Sequence, residues 1–579
     1  MSTTSTRAAW ARIISLLPSR TDLLEVRRDP RRDLLAGLTV AIVALPLALG
    51  FGVSSGLGAE AGLATAVVAG ALTAVFGGSN LQVSGPTGAM TVVLVPIVGQ
   101  HGPGGVLTVG LMAGMLLVAL AVLRAGKYMR YVPAPVVEGF TLGIACVIGL
   151  QQIPNALGMG TPEGDRVLVV AWRALQEFAA SPNWTAVGFA LAVATVMLTG
   201  ARWRPTVPFS ILAVIAATVV ASLLDLEAAA PIGDLPAGLP APSLSFLDPG
   251  TLGSLLAPAV AVAALAALES LLSASVADGM TVGQRHDPDR ELFGQGLANI
   301  AAPLFGGVPA TGAIARTAVN VRTGANSRLA ALVHAAVLAV IVFAAAPLVS
   351  QIPLAALAGV LLATAIRMVE VGSLKAMTRA TRSDAVILVL TAVATLALDL
   401  VYAVIIGLLV AGALALRAVA KQARLDQVPL DRGDHSAEEH TLLAEHIVAY
   451  RIDGPLFFAA AHRFLLELSE VADVRVVILR MSRVMTIDAT GALVLKDAVQ
   501  KLGRRGILVL ASGIRPEQRQ VLHSVGTLEL LRHDGREYAT TPEAIHAARD
   551  HLETAGLLPV LPEKTSSKTT TGISEEPVT

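Results

Sequence analysis

Apolar blocks of roughly 12 to 25 residues recur from Leu34 to about Ala420, and they leave the chain few ways to fold. A helix needs about 20 residues to cross the hydrocarbon core of a bilayer, and inside that core every backbone polar group must be satisfied internally. The blocks predict spans near 34–53, 61–77, 86–98, 104–124, 134–152, 184–200, 208–226, 254–278, 291–305, 311–322, 327–347, 353–370, 383–399 and 401–420, about fourteen in all. The expected fold class is a polytopic α-helical membrane protein. Composition agrees, with 54% apolar residues, 15% charged residues and a mean hydropathy of +0.67. A soluble domain carries nearer a quarter charged residues.

Charge placement orients the spans. The 43 basic and 43 acidic residues cancel, whereas a nucleic-acid binder needs a basic surface to displace counterions. Lys and Arg favour cytoplasmic loops. Arg27, Arg28, Arg31 and Arg32 precede the first span. Later clusters follow even-numbered spans: Arg124, Lys127 and Arg130; Arg202 and Arg204; Arg285 and Arg290; and Arg367, Lys375, Arg379 and Arg382. An even number of spans with both termini in the cytoplasm satisfies this pattern, at a cell (plasma) membrane. Residues 1–33 are polar and Arg-rich without a signal-peptide core, so they read as a cytoplasmic N-terminal segment. Cys146 is the sole cysteine, so no internal disulfide can form.

Two expected spans, 86–98 and 311–322, are too short to cross alone, and each begins at a Gly/Pro break. The first reads Gly85-Pro86-Thr87-Gly88-Ala89-Met90 and the second Val308-Pro309-Ala310-Thr311-Gly312-Ala313-Ile314. They are the third span of the first seven and the third of the second seven. Matched, interrupted segments in two halves point to a transporter site built on an inverted repeat. After Lys421 the pattern changes. A linker over 421–445 leads to a small soluble domain over 446–555, with strands at 446–452, 474–479 and 507–511 and helices at 459–468 and 490–502. Strands alternating with helices imply an α/β unit. Residues 556–579 read as a disordered tail.

Half-helices that start inside a membrane expose unpaired N–H groups and the positive end of the helix dipole. Two such ends facing each other attract an anion without a full charge. The expected anion-binding residues are Phe51, Thr87, Gly88, Ala89, Thr311, Gly312, Ala313, Ala315 and Arg316. The glycines let backbone approach a ligand, although small residues also let membrane helices pack closely. Phe51 is as well suited to packing or an interface. Arg316 supplies fixed positive charge, or it snorkels or pairs at a span end near Arg322. Glu269 is the single acidic residue in the middle of its span, and a carboxylate there is a candidate proton carrier, with Ser273 one turn on. It would otherwise be a structural carboxylate bonded to a helix end. No metal-ligand cluster and no phosphate-binding loop appears, so neither a metal cofactor nor ATP-driven transport is expected, and the chain does not read as an enzyme.

These residues resemble the sulfate-permease family (SulP, solute carrier 26). The similarity lies in Leu34-Leu35-Ala36-Gly37-Leu38-Thr39-Val40-Ala41-Ile42-Val43-Ala44-Leu45-Pro46, in Gln82-Val83-Ser84-Gly85-Pro86-Thr87-Gly88-Ala89, in Glu269-Ser270-Leu271-Leu272-Ser273 and in Thr311-Gly312-Ala313-Ile314-Ala315-Arg316-Thr317. The resemblance implies a seven-plus-seven inverted repeat with core and gate domains, an elevator mechanism, a homodimer and a C-terminal STAS domain that offers a surface to a cytoplasmic protein partner. In the related anti-sigma-factor antagonists a Ser or Thr at the position of Thr490 is phosphorylated; by itself Thr490 reads as a helix N-cap. Leu47 stands where many relatives carry a Gln lining the anion site. A Glu at position 269 resembles the proton-coupled branch more than the sodium-coupled bicarbonate carriers, which often have Asp.

The reading at this point is secondary active transport of a small anion, sulfate or bicarbonate first and dicarboxylates next. The coupling ion is expected to be H⁺ ahead of Na⁺, with Glu269 as the coupling residue. Two alternatives stay open: a membrane-anchored sensor signalling through its soluble domain, and a nucleobase permease of the same architecture.

Overall fold

The structure is a computed structural model and describes residues 14–558, apart from 20, 21, 23, 25, 27, 28, 161, 163–165, 205, 206, 225–229, 234, 237, 399, 423, 429–442, 444, 459–473 and 534. The expected helix over 459–468, most of the expected linker and the expected tail lie outside the described residues. The chain divides into two compact units, Met1–Ala411 and Gly412–Thr579.

The first unit is helical. Its elements are α1 (Pro30–Ser54), α2 (Ala59–Phe76), β1 (Ser84–Gly85), α3 (Gly88–Val122), α4 (Ala134–Gln151), α5 (Ile153–Leu157), α6 (Val167–Ala180), α7 (Trp184–Trp203), α8 (Phe209–Leu223), α9 (Leu252–Met280), α10 (Pro288–Leu304), β2 (Thr311–Gly312), α11 (Ile314–Arg322), α12 (Leu329–Val349), α13 (Leu354–Met368), α14 (Val371–Ala380), α15 (Arg382–Ala397) and the first half of α16 (Leu400–Gln422), whose second half belongs to the other unit. Local chemistry sets the starts. Asp29 caps α1 by accepting from the Arg32 amide at 3.4 Å, with Pro30 opening the first turn. Asp287 caps α10 in the same way, followed by Pro288.

All fourteen expected segments carry helix, but nine helices among the described residues are long and apolar enough to cross by themselves. The segments over 86–98 and 104–124 are joined in α3, which bends where Gly102 adopts φ 67° ahead of Pro103. Four others lie on α8, α10, α11 and α15, which have only 15, 17, 9 and 16 residues. Of these, α10 is covered by its neighbours, whereas α8 leaves Leu212, Ile215 and Leu223 exposed and α15 leaves Val386, Val389 and Val393 exposed. On α10, Gly296 lies so close to α3 that an added Cβ would come 2.9 Å from the Gly114 carbonyl. Three helices have no counterpart among the expected spans: α5, α6 and α14. α6 leaves Leu168, Val169, Trp172 and Leu175 exposed beside Arg173 and Glu177, as an amphipathic helix lying at a membrane surface would.

β1 and β2 pair antiparallel, Ser84 opposite Gly312 and Gly85 opposite Thr311. The Ala313 amide donates to the Val83 carbonyl at 2.9 Å and continues the pairing. The two interrupted segments, more than 200 residues apart in sequence, therefore meet back to back, and α3 and α11 start from the meeting point.

The second unit is a six-stranded sheet. Its strands are β3 (Arg424–Val428), β4 (Ile447–Leu456), β5 (Val476–Arg480), β6 (Val484–Ile487), β7 (Leu508–Ser512) and β8 (Glu537–Tyr538). The order is β3-β4-β5-β7-β8, with β6 paired to the end of β4; β3 is antiparallel and the other pairs are parallel. Helices α17 (Ala489–Arg504), α18 (Pro516–Ser524), α19 (Thr527–His533) and α20 (Thr541–Thr554) cover it. Successive strand residues face opposite sides. Val477 and Leu479 pack with Leu495 and Leu502 on one face, and Val476 and Ile478 with Ile545 and Leu552 on the other. The N-cap of α17 is Asp488, not Thr490. Its carboxylate accepts from the Gly491 amide at 2.7 Å and the Phe458 amide at 3.1 Å. Two charge-assisted bonds outcompete a hydroxyl placed two residues later, and Thr490 is left exposed on the first turn.

Candidate binding site at the helix crossover

The crossover assembles much of the expected set. Thr87 is the N-cap of α3 and is 5% exposed. Its hydroxyl accepts from the Met90 amide at 3.4 Å and donates to Glu269 Oε2 on α9 at 2.9 Å. One hydroxyl thus both caps the helix and holds the carboxylate. Gly88 opens α3; a Cβ there would fall 2.2 Å from Ile148 Cδ1 on α4 and 3.1 Å from Phe51 Cε1 on α1. Phe51 and Ile148 therefore close over the start of α3, and Ala89 is buried behind it.

On the other side, the Thr311 hydroxyl pairs with Ser270 Oγ at 3.1 Å, and the Gly312 amide donates to the same Ser270 oxygen at 3.0 Å. Gly312 is packed rather than open, since a Cβ would meet the Gln82 amide at 2.0 Å. Ala313 is buried, whereas Ala315 in the first turn of α11 is exposed. Arg316 is 2% exposed, and its Nη2 donates to the Pro86 carbonyl at 2.5 Å. Glu269 and Arg316 thus hold opposite charges at the adjacent residues Thr87 and Pro86. Ser273 does not reach this place: fully buried, it donates to Thr317 Oγ1 at 3.0 Å, which also accepts from the Val83 amide at 3.0 Å. It braces the crossover one turn further along the same face of α9.

Sequence reasoning missed the frame that holds β1 and β2. Glu291 on α10 is 1% exposed and accepts four bonds: from the Gly78 amide (2.9 Å), the Ser79 amide (3.1 Å), Gln82 Nε2 (2.9 Å) and Gln295 Nε2 (3.0 Å). Gln295 Nε2 also reaches Ser84 Oγ at 2.6 Å. Asn299 reads the Ala310 backbone in both directions, at 2.8 Å each. The signal was present. Glu291, Gln295 and Asn299 recur every four residues, a polar stripe along a helix that is apolar beyond its first turn.

Two discontinuous helices meeting inside a bundle of membrane-crossing ones, with a carboxylate and a guanidinium at their junction, define a polytopic membrane transporter that carries a separate soluble α/β domain. Residues 31–391 match the family model for the sulfate permease family, and residues 441–544 match the STAS domain. The chain belongs to the sulfate permease family.

Its relatives are named as transporters. YvdB of Bacillus subtilis (strain 168), named for sulfate transport, is 36% identical over 506 residues, covering 86% of this chain and 94% of its own. The bicarbonate transporter BicA of Synechocystis sp. is 31% identical, covering 86% and 91%. Among solved structures, the transmembrane domain of a cyanobacterium bicarbonate transporter BicA matches with TM-score 0.60 at 32% identity, over 66% of this chain and 98% of that one. SLC26A9 matches with TM-score 0.79 at 16% identity over 96% of each chain, a likeness of fold.

Proposed function

We propose that this chain moves sulfate or bicarbonate, with dicarboxylates next, by secondary active transport coupled to a cation, H⁺ ahead of Na⁺. The observation that carries this reading is the Thr87–Glu269 hydrogen bond at the N-terminus of α3. An ionised Glu269 occupies the positive end of the helix and repels an incoming anion. A proton, or a bound cation, neutralises that carboxylate and frees the Thr87 hydroxyl and the helix end for the anion. Anion and cation then bind together, as a symporter requires. Phe51, Thr87, Gly88, Ala89, Thr311, Gly312, Ala313, Ala315 and Arg316 surround or support the anion, with Arg316 supplying fixed positive charge. Ser273 assists Glu269 indirectly, through Thr317 and β1.

The same reading has the 34–420 domain divided into core and gate parts that work as an elevator. It makes the protein a homodimer in the plasma membrane with both termini cytoplasmic, and it leaves the 446–555 domain to meet a cytoplasmic protein. The sulfate and bicarbonate names of the relatives support the anion class over a nucleobase or a purely signalling role. In proteoliposomes, Glu269→Gln abolishes accumulation of labelled sulfate or bicarbonate driven by a pH gradient. Accumulation at the wild-type level would remove Glu269 from the coupling.

A further inference from the structure

Trp184 opens α7 and Trp203 closes it, and both indoles are exposed, at 69% and 78%. Nineteen residues at about 1.5 Å each set them roughly 29 Å apart along the axis, the thickness of the hydrocarbon core. Trp is enriched where a span leaves that core, so the two rings mark its boundaries. Arg202 and Arg204 crowd the Trp203 end, with the Arg204 guanidinium 5.6 Å from the Trp203 ring. Basic residues mark the cytoplasmic end of a span, so Trp184 stands at the outer boundary. The Phe178 ring near the end of α6 meets Trp184 edge to face, with centroids 5.3 Å apart. This contact sets α6 at the level of that boundary.

At about 3.6 residues per turn, α6 divides lengthwise into three sectors. Ala171 and Ala174 are buried, on the side where α6 packs on α4 and α5. Leu168, Trp172, Leu175 and Ala179 follow one another along a second sector and are exposed. Arg173 and Glu177 occupy the third and are exposed as well. A helix standing out of the bilayer would hold the second sector in water, and a helix running into it would hold the third in hydrocarbon. Lying flat at the boundary meets both demands. The second half of the chain repeats the arrangement: α6 follows the fifth expected span of the first seven, and α14 the fifth of the second seven. On α14, Lys375 and Arg379 are exposed, which suits the opposite, cytoplasmic face that an inverted repeat assigns to it.

We propose that α6 lies flat in the outer interface of the bilayer, with Leu168, Trp172 and Leu175 seated among the lipid chains just below the headgroups, and that it anchors α4, α5 and α7 at that level. The lipid contact rests on the geometry. The anchoring role rests on the elevator reading above, in which this part of the protein holds still while the crossover moves.

Spin labels on the full chain in liposomes test the contact directly. Cys146→Ala removes the sole cysteine. Leu168→Cys, Trp172→Cys, Leu175→Cys, Arg173→Cys and Glu177→Cys are then made in turn; each side chain is exposed, so none leaves a cavity. Labels at 168, 172 and 175 are relaxed more strongly by oxygen, which concentrates in lipid, than by a water-soluble nickel chelate, and labels at 173 and 177 show the reverse. Nickel access at 168 and 172 equal to that at 173 would place the second sector in water and overturn the proposal. So would labels at 168, 172 and 175 shielded from both agents, the result of a second copy of the chain covering the helix. In intact cells an impermeant thiol reagent modifies Arg173→Cys but not Lys375→Cys; the opposite result would overturn the outer seat. None of these readouts depends on transport. For the anchoring role, Leu168→Gln combined with Trp172→Gln lowers the maximal rate of sulfate or bicarbonate uptake about threefold or more and leaves KM within about twofold, because the insertion of apolar surface is lost while the crossover is untouched. A maximal rate at the wild-type level, or a loss that falls on KM alone, would overturn the anchor.

Discussion

At the level of single residues, the account turns on Thr87. Its hydroxyl is both the helix cap and the partner of Glu269. Thr87→Val removes a cap worth about 1 kcal/mol and a hydrogen bond to a charged group worth roughly 1.5–3 kcal/mol. Sulfate uptake by this variant is expected to show at least a tenfold rise in KM, whereas Thr87→Ser stays within about threefold; equal effects would place the hydroxyl outside the site. Asp22, ahead of α1, gives a second prediction. It binds Arg290 bidentately at 2.7 and 3.2 Å and lies 3.5 Å from Arg328. Burial pushes its carboxyl up, but the hydrogen bonds from Arg290 and Ser19 and the two guanidinium charges prevail and hold it at about 2. The pKa is lower in the folded state, so the stabilisation is complete above the ordinary value of 3.8 and fades as pH falls from there to about 2. Asp22→Asn should therefore cost of order 1 kcal/mol of stability at pH 7 after solvent screening, seen as a lower thermal midpoint, and much less near pH 2. Thr87, Gly88, Glu269 and Arg316 were legible in the sequence because the Gly/Pro breaks and the lone intramembrane charges are local signals. Ser270 was not, because its role depends on partners, Thr311 and Gly312, that only folding brings near.

At the level of elements, the crossover is a two-residue ladder and would be weak alone. Glu291, Gln295 and Asn299 on α10 hold it. Glu291→Gln places an amide N–H₂ against one pair of the four donors and leaves Gly78 and Ser79, or Gln82 and Gln295, short of an acceptor. Leaving a buried donor unmatched costs about 1–3 kcal/mol. The variant should lose thermal stability and sulfate affinity together; a fall in stability with KM unchanged would separate this clamp from the site. The spans themselves were largely readable from apolar block length. The joined α3 was not, since a single φ of 67° at Gly102 replaces a visible loop. Nor was α6, whose 14 residues carry Arg173 and Glu177 and so fail the pattern for a crossing helix.

At the level of the whole molecule, two units with separate cores follow from two solvents. Helices in the first bury small residues against one another and leave large apolar side chains such as Phe343 and Leu409 outward. The second unit hides its apolar residues on both faces of a sheet. The central claim is that Glu269 and the anion compete for one helix end. Sulfate stays fully ionised near neutral pH, so its apparent affinity reports on the protein alone. The most direct measurement is the KM for sulfate counterflow across pH 5.5 to 8.5, in the wild type and in Glu269→Gln. The account predicts a wild-type KM that falls as the medium is acidified and a variant KM that stays flat at a low value. A variant that keeps the wild-type slope would contradict it.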